Sequence, residues 1–118
     1  MAPDVVAQLA AAAPEGTTVR HVPVPWDDAF TPVPVRSEWA EALRGAHVFV
    51  GFPQLLADFR AHMPDLRWVQ YYGAGYERAP LEELRAGGIG LASAAGAGAA
   101  SVAEFAVMAM LSLARRAP

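Results

Sequence analysis

The stretch that decides the fold runs from residue 67 to residue 100, RWVQYYGAGYERAPLEELRAGGIGLASAAGAGAA. Two short apolar runs, RWVQYYG and IGLASAA, each end in a glycine-rich turn and are typical of buried strands. Between them Pro80 opens a helix, PLEELRA, that Gly87-Gly88 ends. Because strands joined by a helical crossover pair in parallel, this stretch predicts a parallel sheet.

The flanking segments extend the same alternation. The run HVFVGF, residues 47–52, predicts another strand, and Pro53 opens a predicted helix that ends at Pro64. A long helix from Ser101 to Arg116 follows the last strand, with Ser101 as its cap and Glu104 at the capping-box position. The pattern predicts an α/β fold with helices on both faces of the sheet.

The N-terminal part is predicted to begin with a helix over Pro3 to Ala13. An extended strand, TTVRHVPV, then ends at Pro23 and Pro25, and Ser37 caps a helix that ends before Gly45. Since a doubly wound sheet normally begins with a central strand and this chain opens on a helix, we expect the first strand to be missing.

The long C-terminal helix is apolar around most of its circumference. At 100° per residue, its polar side chains fall within roughly one third of the circumference, whereas a surface helix needs an apolar stripe only about 100° wide. The polar residues are Ser101, Glu104, Ser112, Arg115 and Arg116. We therefore expect this helix to be covered by something outside the chain.

Composition excludes several classes of function. The chain has 118 residues, of which 54% are hydrophobic and 18% charged, with a net charge of −3, so it predicts one small folded domain with neither nucleic acid nor membrane as partner. Lysine and cysteine are absent, which excludes Schiff-base chemistry, thiol nucleophiles and disulfides. No signal peptide or membrane span is expected, so the predicted location is cytoplasmic.

Two glycine loops are the candidate sites, because ligands of open α/β sheets bind at the carboxyl ends of the strands. In Gly73-Ala74-Gly75 the backbone can expose consecutive N–H groups suited to a carboxylate or phosphate oxygen. The alternative is a plain tight turn. The neighbouring tyrosines alternate faces of the strand, so at most some of them line the crevice, and Tyr71 is expected in the core.

The second loop, residues 96–101, imitates a dinucleotide fingerprint, since it reads Gly-x-Gly-x-x-Ser after a strand. A true fingerprint continues into another strand and an acidic residue roughly 20 positions on, which the chain does not contain. We therefore predict no cofactor-binding residues here. The three histidines, His21, His47 and His62, lack metal-ligand spacing, so no metal site is predicted.

The second half of the chain, from Pro64 to Arg116, resembles the N-terminal catalytic region of D-isomer-specific 2-hydroxyacid dehydrogenases. Three elements carry the resemblance: a strand ending in Gly-Ala-Gly, the LEEL…GI step from helix to strand, and the helix SVAEFAVMAMLSLARR. The run HVFVGFPQLLADFRAHM fits as the preceding strand and helix.

The resemblance implies a flavodoxin-like fold and NAD(P)-linked hydride transfer between a 2-oxo acid and a D-2-hydroxy acid. It implies that the backbone N–H groups of Gly73, Ala74 and Gly75 hold the substrate carboxylate and that Tyr72 faces the substrate. The helix from Ser101 to Arg116 matches the crossing helix that leads into the nucleotide-binding domain of the family.

The resemblance also implies that residues 1–118 are a partial catalytic (substrate-binding) domain. The nucleotide-binding domain and the catalytic Arg, Glu and His of the family are expected beyond it, so no catalytic residue is assigned. NAD or NADP is expected in a full-length protein and no cofactor for this chain alone. The partner along the last helix is then the nucleotide-binding domain or a second copy.

Four residues depart from the family pattern. Gly98 stands where the formate dehydrogenase branch has Asn, Glu77-Arg78 where members often have Asp-His, and Phe105 where His is frequent. These departures argue against a formate dehydrogenase. The alternative function is a non-enzymatic carboxylate-binding or interaction module with the same fold.

Overall fold

The computed structural model describes residues 3–116 of the chain. These residues form two compact units. The first consists of the described residues of Met1–His47 together with Pro53–Leu66, and the second of Val48–Phe52 together with the described residues of Arg67–Pro118.

The second unit contains a three-stranded parallel sheet with the order β1-β2-β3. Its strands are β1 (Val48–Val50), β2 (Trp68–Gln70) and β3 (Gly90–Ala92). Helix α4 (Leu81–Ala86) joins β2 to β3 and contacts β3, and the long helix α5 (Ala99–Arg115) follows the last strand. The α/β fold expected from the sequence is confirmed, although each strand is shorter than its apolar run.

The middle strand is the most buried part of the sheet, because the side chain of Val69 is fully buried and that of Tyr71 is 1% exposed. Trp68 and Gly90 are direct neighbours across β2 and β3. The Trp68 indole occupies the space that a Cβ at position 90 would need. Glycine is therefore required at this position by the close approach of the ring, not by its backbone angles.

The first unit is mostly helical. Helix α1 (Pro3–Ala12) ends one residue before the predicted boundary, and α2 (Ser37–Arg44) contacts the short helix α3 (Phe59–His62). Its buried side chains are Trp39, Leu43, Leu55, Leu56, Phe59, Met63 and Leu66. Helices α2 and α3 supply three of these side chains, Trp39, Leu43 and Phe59, and the segments on either side of α3 supply the other four.

The continuous helix predicted after Pro53 is wrong. The segment instead contains a 3-10 helix (Pro53–Leu55) and α3, because the backbone between them pairs with Val33. The N–H of Val33 donates to the Leu55 carbonyl at 2.8 Å, and the N–H of Ala57 donates to the Val33 carbonyl at 2.8 Å. Asp58, with φ of 50°, then redirects the chain into α3.

The strand predicted over TTVRHVPV is also wrong, since residues 17–24 contain no strand. Pro23 and Pro25 have no N–H to give to a sheet ladder. The N–H of Val24 donates locally to the Val22 carbonyl at 2.9 Å. Sheet hydrogen bonding is thus replaced here by a local turn.

Both predicted serine caps are wrong as well. The residue preceding α2 is Arg36 and the residue preceding α5 is Gly98, and neither helix has a side-chain hydrogen bond at its cap. Ser37 and Ser101 lie inside their helices instead. Helix α2 begins at Ser37 itself and α5 begins two residues before Ser101, so neither serine hydroxyl is at the cap position that accepts from the first free N–H groups.

Helix α5 has no buried residue. Its large apolar side chains are exposed: Val102, Phe105, Val107, Met108, Met110, Leu111 and Leu113. Leu113, for example, is 80% exposed. The expectation that the chain itself does not cover this helix is confirmed. Among residues 3–116, no helix is both long and apolar enough to cross a membrane.

Candidate functional site

The two glycine loops lie side by side at one edge of the sheet. The loop of Gly73-Ala74-Gly75 follows β2, and residues 93–98 follow β3. The N–H of Ala94 donates to the carbonyl of Gly73 at 3.0 Å, which joins the two loops. Parallel pairing places both loops at the carboxyl edge, where α/β sheets bind their ligands.

The first loop presents three backbone donors. Within residues 3–116, the N–H groups of Gly73, Ala74 and Gly75 donate to no protein acceptor. Ala74 and Gly75 are exposed and Gly73 is half-buried. Consecutive N–H groups that are accessible and unpaired can hydrogen-bond a carboxylate or phosphate oxygen.

The glycines of this loop do not use left-handed backbone angles. Neither Gly73 nor Gly75 has a positive φ, so neither position needs glycine for its backbone angles. Space does not require glycine there either. A Cβ at position 73 would make an ordinary contact with Cζ of Phe52 at 3.6 Å, and one at position 75 would meet only the carboxylate at the end of the flexible Glu77 side chain.

An aromatic cluster borders the loop. The centroid of the Phe52 ring lies 4.7 Å from that of Tyr72 and 4.8 Å from that of Tyr71, and both pairs have edge-on geometry. Tyr71 is 1% exposed, as expected of a core residue, whereas Tyr72 is 55% exposed beside the loop. Edge-on aromatic contacts fix ring orientation, so Phe52 holds the Tyr72 ring in place.

Sequence reasoning missed Phe52, although a signal for it exists. Gly51-Phe52 follows β1 just as Tyr72-Gly73 follows β2, and the N–H of Gly51 donates to the Gln70 carbonyl at 2.9 Å. Residues that directly follow neighbouring parallel strands meet at the same sheet edge. This rule was sufficient to place Phe52 beside Tyr72.

The Tyr72 phenol remains protonated at neutral pH. Burial raises its pKa above the ordinary value of 10.0. A neutral phenol can donate a hydrogen bond to an acceptor. The side chain therefore offers an additional donor beside the three backbone N–H groups.

Glu77 brings a negative charge against this loop. Its carboxylate lies in contact with Gly75, where it fills the space left by the missing Cβ. A second carboxylate bound to the same loop would be repelled by it. Sequence reasoning identified Glu77 only as a departure from the family pattern and did not place its side chain.

The second loop uses its N–H groups internally. The N–H of Ala97 donates to the Ala94 carbonyl at 3.1 Å, and the N–H of Ala99 donates to the Gly96 carbonyl at 3.1 Å. Gly96 has φ of 87°, which the turn requires. The donors of Ala97 and Ala99 are therefore not available to a phosphate in this conformation.

The histidines and acidic residues do not assemble into a metal centre in the part of the chain that the structure describes. No group of three or more potential ligands occurs among residues 3–116. Asp27 accepts from the N–H of Thr31 at 2.8 Å and from its hydroxyl at 2.7 Å, which lowers the pKa of the Asp27 carboxyl. Asp27 thus stabilises a surface loop.

Together, fold and site define an α/β domain with a loop of unpaired backbone N–H groups at the carboxyl edge of a parallel sheet. The family model for the D-isomer specific 2-hydroxyacid dehydrogenase catalytic domain matches residues 8–116. The chain therefore belongs to this family of oxidoreductases, and the resemblance noted in the sequence is confirmed. Comparisons with curated proteins and with solved structures give no match.

Proposed function

We propose that the chain is the substrate-binding lobe of an NAD(P)-dependent D-2-hydroxyacid dehydrogenase and that it binds a small 2-oxo or 2-hydroxy acid. The observation that carries the proposal is the set of unpaired N–H groups at Gly73, Ala74 and Gly75. Family membership supports the substrate class. The backbone donors hold the carboxylate, and the Tyr72 phenol donates to a further substrate oxygen.

The exposure of the loop and the nearby negative charge favour a modest affinity for an anionic ligand. Three backbone donors on an exposed loop exchange hydrogen bonds to water for hydrogen bonds to the ligand, so each contributes only about 0.5–1.5 kcal/mol. The Glu77 carboxylate in contact with Gly75 opposes an anionic ligand. We therefore expect millimolar rather than micromolar binding.

The described residues do not fit a dinucleotide. In the second loop the N–H groups of Ala97 and Ala99 are paired within the loop, so these two donors are not available to a pyrophosphate. We propose that NAD or NADP is bound by a nucleotide-binding lobe that also carries the catalytic groups. On this proposal, residues 1–118 are a partial catalytic domain and are inactive without that lobe.

The exposed apolar surface of α5 favours a second candidate function, an interaction module that binds carboxylates without catalysis. Both candidates place a partner along α5, either the nucleotide-binding lobe or a second copy. They differ in catalysis, since only the first predicts that a nucleotide-binding lobe supplied in trans restores 2-oxo acid reduction.

The experiment that tests the proposal is a calorimetric titration of the chain with pyruvate. Ala74→Pro removes the central N–H of the loop and is expected to weaken pyruvate binding at least fivefold, whereas Ala74→Gly keeps that N–H and retains binding. Pyruvamide, which lacks the carboxylate, serves as the ligand control. Equal binding of pyruvate by both variants, with circular dichroism showing both folded, would refute the assignment.

A further inference from the structure

The glycine loop after β2 combines hydrogen-bond donors with a negative charge. The N–H groups of Gly73, Ala74 and Gly75 donate to no protein acceptor within residues 3–116. The Cδ atom of Glu77 lies 3.3 Å from the position that a Cβ on Gly75 would take. A carboxylate this close disfavours a simple anion and favours a ligand that also carries a positive charge.

The Glu77 carboxylate is available to such a charge. Glu77 is exposed, and its side chain takes part in no hydrogen bond or ion pair among residues 3–116. Tyr76, directly before it in the chain, is 56% exposed, and Tyr72 is 55% exposed. The face of a tyrosine ring also attracts a cation. Charge and aromatic surface therefore both favour a cationic group beside the loop.

We propose that the loop takes a 2-oxo or 2-hydroxy acid whose side chain ends in a guanidinium, with Glu77 as the specificity-determining residue. The N–H groups of the loop bind the carboxylate of the ligand. The Glu77 carboxylate accepts two parallel hydrogen bonds from the guanidinium at the other end. This proposal rests on the proposed function, because it assigns the side chain of the acid that the loop binds.

A guanidinium suits this position better than an ammonium group does. Its planar fork of N–H donors matches the two oxygens of a carboxylate, and it is more weakly hydrated than an ammonium. It also stacks on aromatic rings such as those of Tyr72 and Tyr76. A strongly hydrated ammonium gains less from an exposed carboxylate such as that of Glu77.

The side-chain length follows from the spacing of the two ends of the site. A ligand oxygen hydrogen-bonded to the Gly75 N–H lies about 6 Å from the Glu77 carboxylate. Three methylene groups between C2 of the ligand and the guanidinium place the guanidinium carbon up to about 7.5 Å from the carboxylate carbon. A ligand of this length therefore reaches Glu77 while its carboxylate stays on the loop.

Two ligands of the same shape isolate the effect of the positive charge. D-2-hydroxy-5-guanidinopentanoate and D-2-hydroxy-5-ureidopentanoate differ only in the terminal group, because a neutral urea replaces the guanidinium. In calorimetric titrations the wild type should bind the guanidino acid about fivefold more tightly than the ureido acid. This ratio should fall as salt is added.

Glu77→Gln should bring the ratio of the two dissociation constants to about one. The ureido acid should bind this variant about two- to fivefold more tightly than it binds the wild type, because its carboxylate is no longer repelled. The guanidino acid gains the same relief but loses its partner, so its affinity should not rise. A merely structural role of Glu77 would change the affinity for both acids alike.

Matched variants separate this contact from a general charge effect. Glu82→Gln makes the same change on the exposed first turn of α4 and should keep the fivefold ratio. Glu77→Arg should bind the dianion D-2-hydroxyglutarate more tightly than the wild type does, because repulsion becomes attraction. Since Glu77 and Glu82 are both exposed, these variants should keep the fold, which circular dichroism verifies.

Two results would overturn the proposal: equal binding of the guanidino and ureido acids by the wild type, or a fivefold ratio that persists in Glu77→Gln. In either case, pyruvate binding that is weakened by Ala74→Pro leaves the proposed function in place. If pyruvate and both hydroxy acids fail to bind, the two proposals fall together. Failure of this proposal is therefore distinguishable from failure of the proposed function.

Discussion

Replacing Glu77 with glutamine removes a negative charge from the candidate carboxylate site and keeps the shape of the side chain. The Glu77 carboxylate contacts Gly75, whose N–H is one of the three unpaired donors. An anionic ligand at these donors therefore meets a like charge. We expect Glu77→Gln to bind 2-oxo acids more tightly than the wild type does.

The expected gain follows from Coulomb's law. A ligand oxygen hydrogen-bonded to the Gly75 N–H, at about 2.9 Å, lies about 6 Å from the Glu77 carboxylate. Two like charges at this distance repel by about 0.7 kcal/mol in water, and by somewhat more where protein displaces the solvent. Because Glu77 is exposed and salt screens it, we expect about 0.4–1 kcal/mol, a two- to fivefold lower dissociation constant.

Calorimetric titration with pyruvate measures this change. The neutral analogue pyruvamide should bind equally to wild type and Glu77→Gln, and the difference for pyruvate should shrink as salt is added. Glu82→Gln, the same change on the exposed first turn of α4, is the matched control. Unchanged or weaker pyruvate binding by Glu77→Gln would refute the view that Glu77 opposes a bound carboxylate.

Two further predictions concern pH and packing. Because burial raises the pKa of Tyr72, its contribution to stability is fully present below the unfolded pKa of about 10 and is lost as pH rises through the higher folded-state pKa. Denaturant unfolding should show this loss in the wild type and not in Tyr72→Phe. Gly90→Ala should lower the free energy of unfolding by about 1–3 kcal/mol, because its Cβ would overlap the Trp68 indole. Gly45→Ala, which meets no atom within 4 Å, should stay within about 0.5 kcal/mol of the wild type, and equal losses in both would contradict the packing argument.

The order of the sheet elements could be predicted because their signals are local. Glycine and proline mark both ends of α4, and apolar runs mark β1, β2 and β3. The structure of the segment after Pro53 could not be predicted, because its backbone pairs with Val33, about twenty residues earlier in the chain. Helical spacing of apolar residues carries no information about such a distant pairing.

The strand predicted over TTVRHVPV shows the limit of β-propensity. Branched residues favour an extended chain, yet a strand also needs a partner and unbroken donors. Pro23 and Pro25 remove two donors, and no strand pairs with residues 17–24 in the described part of the chain. Local composition alone does not reveal whether a partner strand is present.

The position of the candidate loop could be predicted from the sequence, but the side chains that surround it could not. Gly73-Ala74-Gly75 was predicted as a ligand loop from its place after a strand, and the structure leaves its N–H groups unpaired. The positions of Phe52 and Glu77 depend on rotamers and on contacts between different elements. These contacts determine the charge and shape of the site, and the local sequence does not encode them.

The proposed role of the loop after β2 is to receive the carboxylate of a 2-oxo acid. The most direct measurement follows the backbone amide resonances of the nitrogen-15-labelled chain during titration with pyruvate. We expect saturable shifts that are largest at Gly73, Ala74 and Gly75 and absent with pyruvamide. Shifts that centre on residues 96–101 instead, or that are the same for both ligands, would contradict it.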